Sequence, residues 1–386
     1  MRYVYFDHNA TSTLDPRVRE AMLPWLGGDP GNPSSAHRLG QAARGAVEEA
    51  RRHVARLIGG EPLEVVFTAS GSEANNAAIF ETARRAGYSG ELVMSTLEHP
   101  SVRRAAERCV EQGMTLREVA PGADGVVAAA AVLEALRPDT RLVCLMLANN
   151  ELGTLQPVAE VAARCRGRGV PVLCDAVQAV GKMPVDVGEL GADFVSLGGH
   201  KFHGPLGAAA LWVRPEMPFE GHLVGGSQER GRRAGTVNVP AVVGLGTACA
   251  LAAEELPERR RRLTVMRDLL EESIVQRLAE ARIHCRSSPR LPHTCHVAFP
   301  GVAGQSLVIR LDLAGFAVSA GPACSSGTVE PSAALLSMGM PASEALASIR
   351  ISLGITNTRQ EVEAFLPVLE QEVQALALLA PSGEDG

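Results

Sequence analysis

Short apolar runs alternate with helix-like patterns from about residue 35 to residue 255, and this alternation limits what the chain can fold into. Strand-like runs fall at 64–68, 91–95, 115–120, 141–147, 170–174, 194–197 and 208–213. Helical patterns lie between many of them, at roughly 72–86, 100–112, 128–137 and 157–168. Strands buried on both faces read as continuous apolar runs, and interposed helices supply the crossovers that parallel strands need. The expected fold class is therefore α/β, a mainly parallel sheet flanked by helices. Residues 240–281 read as two successive helices, the second highly charged, leading into another domain. Beyond them, strands at 294–299, 317–320 and 348–353 mix with helices near 304–314, 331–339 and 358–379, the pattern of a smaller α+β domain.

Composition narrows the class of function. Of 386 residues, 46% are hydrophobic and 21% charged, as in a soluble globular protein. The net charge of −6 gives no reason to expect a nucleic-acid partner, and Glu258-Arg259-Arg260-Arg261-Arg262 reads as a solvated helix face. Nothing resembles a signal peptide, and no apolar run is expected to reach the ~20 residues of a membrane span. The expectation is a cytoplasmic protein without a membrane partner. Eight cysteines without a Cys-x-x-Cys, several inside apolar strands, suggest buried thiols in a reducing compartment.

Two of the apolar runs end in charge. Pro171-Val172-Leu173-Cys174-Asp175-Ala176-Val177-Gln178 stops at a carboxylate, and Phe194-Val195-Ser196-Leu197-Gly198-Gly199-His200-Lys201 stops at a lysine. Ligands of open α/β sheets sit beyond the carboxyl ends of the strands. An aspartate and a lysine placed there can bracket pyridoxal phosphate, which needs an amine for its aldehyde and an acid to keep its pyridinium nitrogen protonated. A salt bridge at the sheet rim is the plain alternative. Gln178, three residues after Asp175, can reach the same ligand, with Asp175 facing the ring nitrogen and Gln178 the ring hydroxyl. His200, beside Lys201, is a candidate phosphate donor or simply a polar loop residue.

Other segments add to this edge. Ala69-Ser70-Gly71-Ser72-Glu73 follows a strand and opens a helix, so Gly71 and Ser72 offer amides to an anion, although Ser72 would also serve as an ordinary cap. Glu98-His99-Pro100 places a histidine after a strand, where it can stack on a ring and move protons or be purely structural. Asn149-Asn150-Glu151 supplies amide donors there, or a polar turn. Gly225–Thr236 is glycine-rich and cationic, suited to an anion or to a flexible surface. Cys324 lies in the small, polar, glycine-rich loop Ala320-Gly321-Pro322-Ala323-Cys324-Ser325-Ser326-Gly327, unlike the strand cysteines, and such a thiol can be exposed and mobile. Arg350 interrupts the apolar run Ser348–Leu353 and needs an anion, either a substrate carboxylate or a structural partner. His284, Cys285, His293, Cys295 and His296 cluster, but with no zinc-module spacing, and no metal is expected.

The ordered set of these motifs resembles the cysteine desulfurases of the NifS/IscS type, in the class V aminotransferase family of PLP fold type I. The resemblance runs from Tyr5-Phe6-Asp7-His8-Asn9-Ala10-Thr11 to Arg350, and the cysteine loop is similar to that of the long-loop subgroup. It implies a large cofactor-binding domain over 13–255. It also implies a small α+β domain from 1–12 and 256–386 that carries a mobile cysteine loop at about 319–332. It implies that pyridoxal phosphate is held covalently on Lys201, with Asp175 and Gln178 on the ring and His99 stacked above it. Gly71, Ser72, His200 and Thr236 would bind the phosphate, Thr236 reaching in from the partner of a homodimer. Asn150 and Arg350 would hold the substrate. Lys201 would take the Cα proton of L-cysteine and His99 would move protons. Cys324 would attack the sulfur, carrying it as a persulfide to an acceptor such as an iron–sulfur scaffold or a thiolation enzyme, while L-alanine departs. A selenocysteine lyase, another class V enzyme, and a sulfur-relay protein with little intrinsic activity are the alternatives. Gly198 stands where such enzymes often carry a phosphate-binding serine, and Ser70-Gly71-Ser72, Leu206, Ser227 and Pro322 also depart from the usual pattern, so weaker cofactor retention is expected.

Overall fold

The computed structural model describes residues 3–27, 31–321 and 330–379. The chain begins with β1 (Val4–Tyr5), α1 (Pro16–Gly27) and α2 (Arg38–Leu57). It then alternates through β2 (Val65–Thr68), α3 (Gly71–Arg85), β3 (Glu91–Ser95), α4 (Pro100–Glu111), β4 (Thr115–Val119), α5 (Ala129–Ala135) and β5 (Thr140–Cys144). The alternation continues with α6 (Val158–Arg166), β6 (Val172–Asp175), α7 (Val187–Leu190), β7 (Phe194–Gly198) and β8 (Ala209–Val213). After α8 (Val239–Arg277) come β9 (Arg282–Ile283), β10 (Thr294–Ala298), α9 (Gly304–Leu313) and β11 (Phe316–Ala317). The last elements are α10 (Ala333–Ser337), α11 (Ala342–Leu346), β12 (Ser348–Ser352) and α12 (Arg359–Ala377).

Seven strands form one sheet in the order β2-β8-β7-β6-β5-β3-β4, in which β8 alone runs antiparallel to its neighbours. The expected α/β class is therefore present. Strands β2, β3, β6, β7 and β8 are buried throughout, which is why their sequences carry no polar alternation. Apolar side chains fill both faces, one layer around Val172, Val195 and Leu245 and the other around Leu92, Leu173 and Phe194. A third cluster, around Phe6, Val297, Ile349 and Phe365, packs the later strands against the second half of α8 and against α12.

Several expectations are corrected. In place of two helices over 240–281 there is one, α8, which ends at Arg277; Pro257 removes one backbone donor without breaking it. Its first half lies along α1 and α2 so closely that a Cβ on Gly246 would come within 2.4 Å of the Ala50 Cα. That same helix is long and apolar enough to cross a membrane by length and composition, which the sequence reading did not find; half of its apolar window is buried inside the protein. The strand expected at 317–320 is reduced to β11, pairing parallel with β1. The helix expected at 331–339 is reduced to α10. Strand β5 ends at Cys144, yet the Leu145 and Leu147 amides still donate to Leu173 and Asp175, so the ladder persists to the site.

Candidate active site

Gly71, Ser72, His99, Asn150, Asp175, Gln178, His200, Lys201 and Arg350 all line one cavity of about 480 Å³ at the carboxyl ends of the central strands. Thr236 is exposed and does not line it, and Cys324 lies outside the described residues.

Asp175 is the last residue of β6. Its Oδ2 accepts from Asn75 Nδ2 at 2.8 Å, and its Oδ1 from the Val177 amide at 3.0 Å. Lys201 ends a short 3₁₀ turn after β7, and its Nζ donates to the carbonyls of Asn9 (2.6 Å) and Ala10 (2.8 Å). Burial, then the Arg350 guanidinium, lowers the Lys201 pKa to about 8, against the opposing pull of Asp175 and Asp7. An amine so tuned is more readily available as a nucleophile or base near neutrality. No salt bridge joins it to Asp175, so the plain rim reading does not describe this pair.

At the other end, α3 points its first turn into the cavity. Ser70 is the cap, its Oγ accepting from the Glu73 amide at 3.1 Å, so the expected capping role of Ser72 is corrected and its hydroxyl is left free of it. Gly71 packs where a Cβ would meet Val177 Cγ2 at 2.6 Å, which keeps the helix start close to the strand ends. His200 Nδ1 lies 3.1 Å from Thr11 Oγ1, and burial followed by Lys201 and Lys182 pushes its pKa down to about 4, leaving a neutral ring at pH 7. His99 opens α4 as its cap, accepting from the Ser101 amide at 3.1 Å; burial chiefly lowers its pKa.

Arg350, from β12, closes the third side. Its Nη2 pairs with Asp7 Oδ1 at 2.6 Å and its Nη1 donates to the Asn150 carbonyl at 2.9 Å, while its buried Nε has no partner among the described residues. The structural ion pair is thus present, and a donor remains for a second anion.

Three residues in this region were given no role from sequence. Asn75 orients Asp175 and also donates to Ser101 Oγ at 3.0 Å. Asn9 receives Lys201 and Gln178 Nε2 on its backbone oxygen, and its side chain reaches Asn150, Thr294 and His293. Lys182 donates to Gln178 Oε1 at 2.8 Å. Only its spacing of four from Gln178 could have pointed to that contact. The cationic segment 225–236 is engaged elsewhere: Arg233 pairs with Glu73 at 2.8 Å, and Glu229 with Arg51. The histidine–cysteine cluster does not converge on one point. His284 and His296 share a hydrogen bond at 2.8 Å, and His293 turns to Asn9.

Known proteins share this architecture. The family model described as aminotransferase class-V matches residues 4–365. A cysteine desulfurase of Cereibacter sphaeroides is 42% identical over 387 aligned residues, covering 100% of this chain and 99% of its own. A solved NifS-like protein superposes with a TM-score of 0.90 at 34% identity, over 97% of this chain and 100% of that one. Another structure, SspA in complex with cysteine, gives a TM-score of 0.81 at 32% identity, over 92% and 100% of the two chains. With a matching family model over nearly its whole length and full-length relatives of this kind, the chain belongs to the class V aminotransferase family, among its NifS-like cysteine desulfurases.

Proposed function

We propose that the cavity binds pyridoxal phosphate and that the protein uses it to take sulfur from L-cysteine, releasing L-alanine and loading the sulfur on Cys324. The observation that carries this is Lys201. An amine brought to a pKa of about 8 shares one cavity with the Asp175 carboxylate and the open start of α3. These groups fit the three ends of the cofactor: the amine its aldehyde, the buried carboxylate its pyridinium, and the helix start with Ser72 its phosphate. When bound, the cofactor supplies an electron sink for negative charge developing at the substrate Cα.

The chain's own groups do the rest. Asn75 holds Asp175 toward the ring, and the carbonyls of Asn9 and Ala10 give the Lys201 amine a fixed place when it is free. Arg350 Nε offers the substrate carboxylate a donor beside Asn150. His99, at the cavity wall, is positioned to exchange protons with the reacting groups. Burial raises the pKa of all seven cysteines among the described residues, so none is a ready thiolate at neutral pH. Cys324 is the eighth cysteine of the sequence. Its thiolate attacks the substrate sulfur, an S–S bond forms as the Cβ–S bond breaks, and the electron pair left on carbon takes a proton as alanine forms. No external oxidant is needed.

We further propose a homodimer, with the exposed Thr236 completing the phosphate site of the partner subunit, and a protein acceptor for the persulfide sulfur. Purified protein incubated with L-cysteine and a thiol reductant should release alanine and sulfide in equal amounts. A single turnover without reductant should add about 32 Da, the mass of one sulfur, to the peptide holding Cys324. Full sulfide release by Cys324→Ser would overturn the role given to that residue.

A further inference from the structure

Lys182 is a buried lysine without a counter-ion. It is 7% exposed, and among the described residues no carboxylate pairs with it; burial, then Lys201 and Arg350, push its pKa well below the usual lysine value in the cofactor-free protein. Its Nζ donates to Gln178 Oε1 at 2.8 Å and to Asn9 Oδ1 at 3.4 Å. The titratable and charged groups around it are His8, His200, Lys201, His203, Arg259, His293 and Arg350. Burial holds His8 at a pKa of about 3, His200 and His203 at about 4, and His293 well below the usual value, so the imidazoles are neutral near neutral pH. Behind Lys182 lies a small chamber of about 20 Å³, where both ring nitrogens of His8 and Nδ1 of His293 lack partners among the described residues. That is room for a water.

The contacts also fix the Gln178 amide. A backbone carbonyl only accepts, so Nε2 faces Asn9 O and Oε1 turns to the Lys182 Nζ. An anion in the cavity can therefore meet only the donor end of an amide whose far end is held by Lys182.

We propose that Lys182 is a positioning residue for the cofactor ring, acting through Gln178. It sets the amide so that its N–H meets the anionic ring oxygen, and that oxygen supplies the countercharge that holds the buried amine in its protonated form. This rests on the pyridoxal phosphate reading above. A cation behind the ring oxygen favours loss of the proton from the cofactor–Lys201 linkage, so it lowers the pH at which the bound cofactor changes colour.

The test is a pH titration of the visible absorbance of cofactor-loaded wild type, Lys182→Met, Lys182→Gln and Lys182→Arg. Removing the charge should move the midpoint upward by about one pH unit in the Met and Gln variants. Lys182→Arg should stay near wild type. A purely structural role would lower the melting temperature and leave the midpoint in place. An unchanged midpoint in a folded, cofactor-loaded Met or Gln variant overturns the inference. A wild type that takes up no pyridoxal phosphate overturns the cofactor reading itself, and this inference with it.

Discussion

Lys201 Nζ and Gln178 Nε2 converge on one acceptor, the backbone oxygen of Asn9, at 2.6 and 2.9 Å. Asn9 is itself pinned by Ser352, Thr294, His293 and Asn150, so the extreme N-terminal segment forms the floor on which the site's amine rests. Groups from three distant parts of the chain, around residues 150, 293 and 352, therefore decide where one carbonyl points.

The depressed pKa of Lys201 gives a stability signature in the cofactor-free protein. Its folded pKa of about 8 lies below the ordinary 10.5. Below pH 8 both states carry the proton and the burial penalty is fully present. Between pH 8 and 10.5 only the unfolded state stays protonated, so stability rises with pH, and above that window the penalty is gone. Lys201→Met should therefore gain stability relative to wild type at pH 7, by up to about 3 kcal/mol, and lose that gain by pH 10.5. Urea denaturation of both cofactor-free proteins at pH 7, 9 and 10.5 measures it. A difference that does not vary with pH would contradict the assignment.

Asn75 supplies one of the two hydrogen bonds that the Asp175 carboxylate accepts among the described residues. Asn75→Ala removes a buried donor to a charged group, an interaction worth roughly 1.5–3 kcal/mol. Cofactor affinity, read from absorbance titration of the apo protein, should fall by about tenfold or more. Asn75→Asp should be worse, because it sets a second carboxyl against the first. Unchanged affinity in Asn75→Ala would remove Asn75 from the site.

The strand ends were legible because a buried strand leaves a simple trace: an unbroken apolar run, then a sudden charge. Asp175 and Lys201 stood out for that reason, and the sheet places them in one cavity. Asn9, Asn75 and Lys182 left no such trace. Each is a single polar residue whose role depends on partners far along the chain, as with Asn9 and His293, 284 positions apart. The two helices expected over 240–281 err in the opposite sense: Pro257 favours a break locally, but packing along α2 and α12 carries α8 through it. Thr236 is exposed and away from its own cavity, and its proposed place at a phosphate depends on a second chain. β1, β9 and β11 span two residues each, too short for any periodicity to register.

Gly198 is a position where function should be improvable. Its φ of −137° suits any residue, and a Cβ there would lie 3.5 Å from Val177 Cγ1 and 4.0 Å from the Gly71 amide nitrogen. A serine would thus fit without strain and put a hydroxyl beside the start of α3. Gly198→Ser should tighten pyridoxal phosphate binding by roughly 1 kcal/mol, about fivefold, through one added hydrogen bond to the phosphate. Equilibrium dialysis against free cofactor checks this. Weaker binding by a folded variant would mean that the phosphate lies elsewhere.

The segment leading to Thr236 is bolted by a buried ion pair. Glu229 receives both terminal nitrogens of Arg51, at 2.7 and 2.8 Å, and the Phe67 amide at 2.8 Å. The guanidinium also lies over the Phe67 ring, 4.6 Å from its centroid. Holding the carboxylate there sets two successive non-glycine residues, Glu229 (φ 49°) and Arg230 (φ 59°), in the left-handed region. Removing one member should be costly, because the other stays buried and unpaired: Glu229→Ala should lose about 3–5 kcal/mol. Replacing both, as Arg51→Leu with Glu229→Leu, should recover much of that loss, since no charge is then stranded. Arg230→Gly should gain about 0.5–1 kcal/mol by relieving the backbone. Chemical denaturation of the three variants separates these terms, and a double replacement no more stable than Glu229→Ala would show that the pair is not the source of the loss.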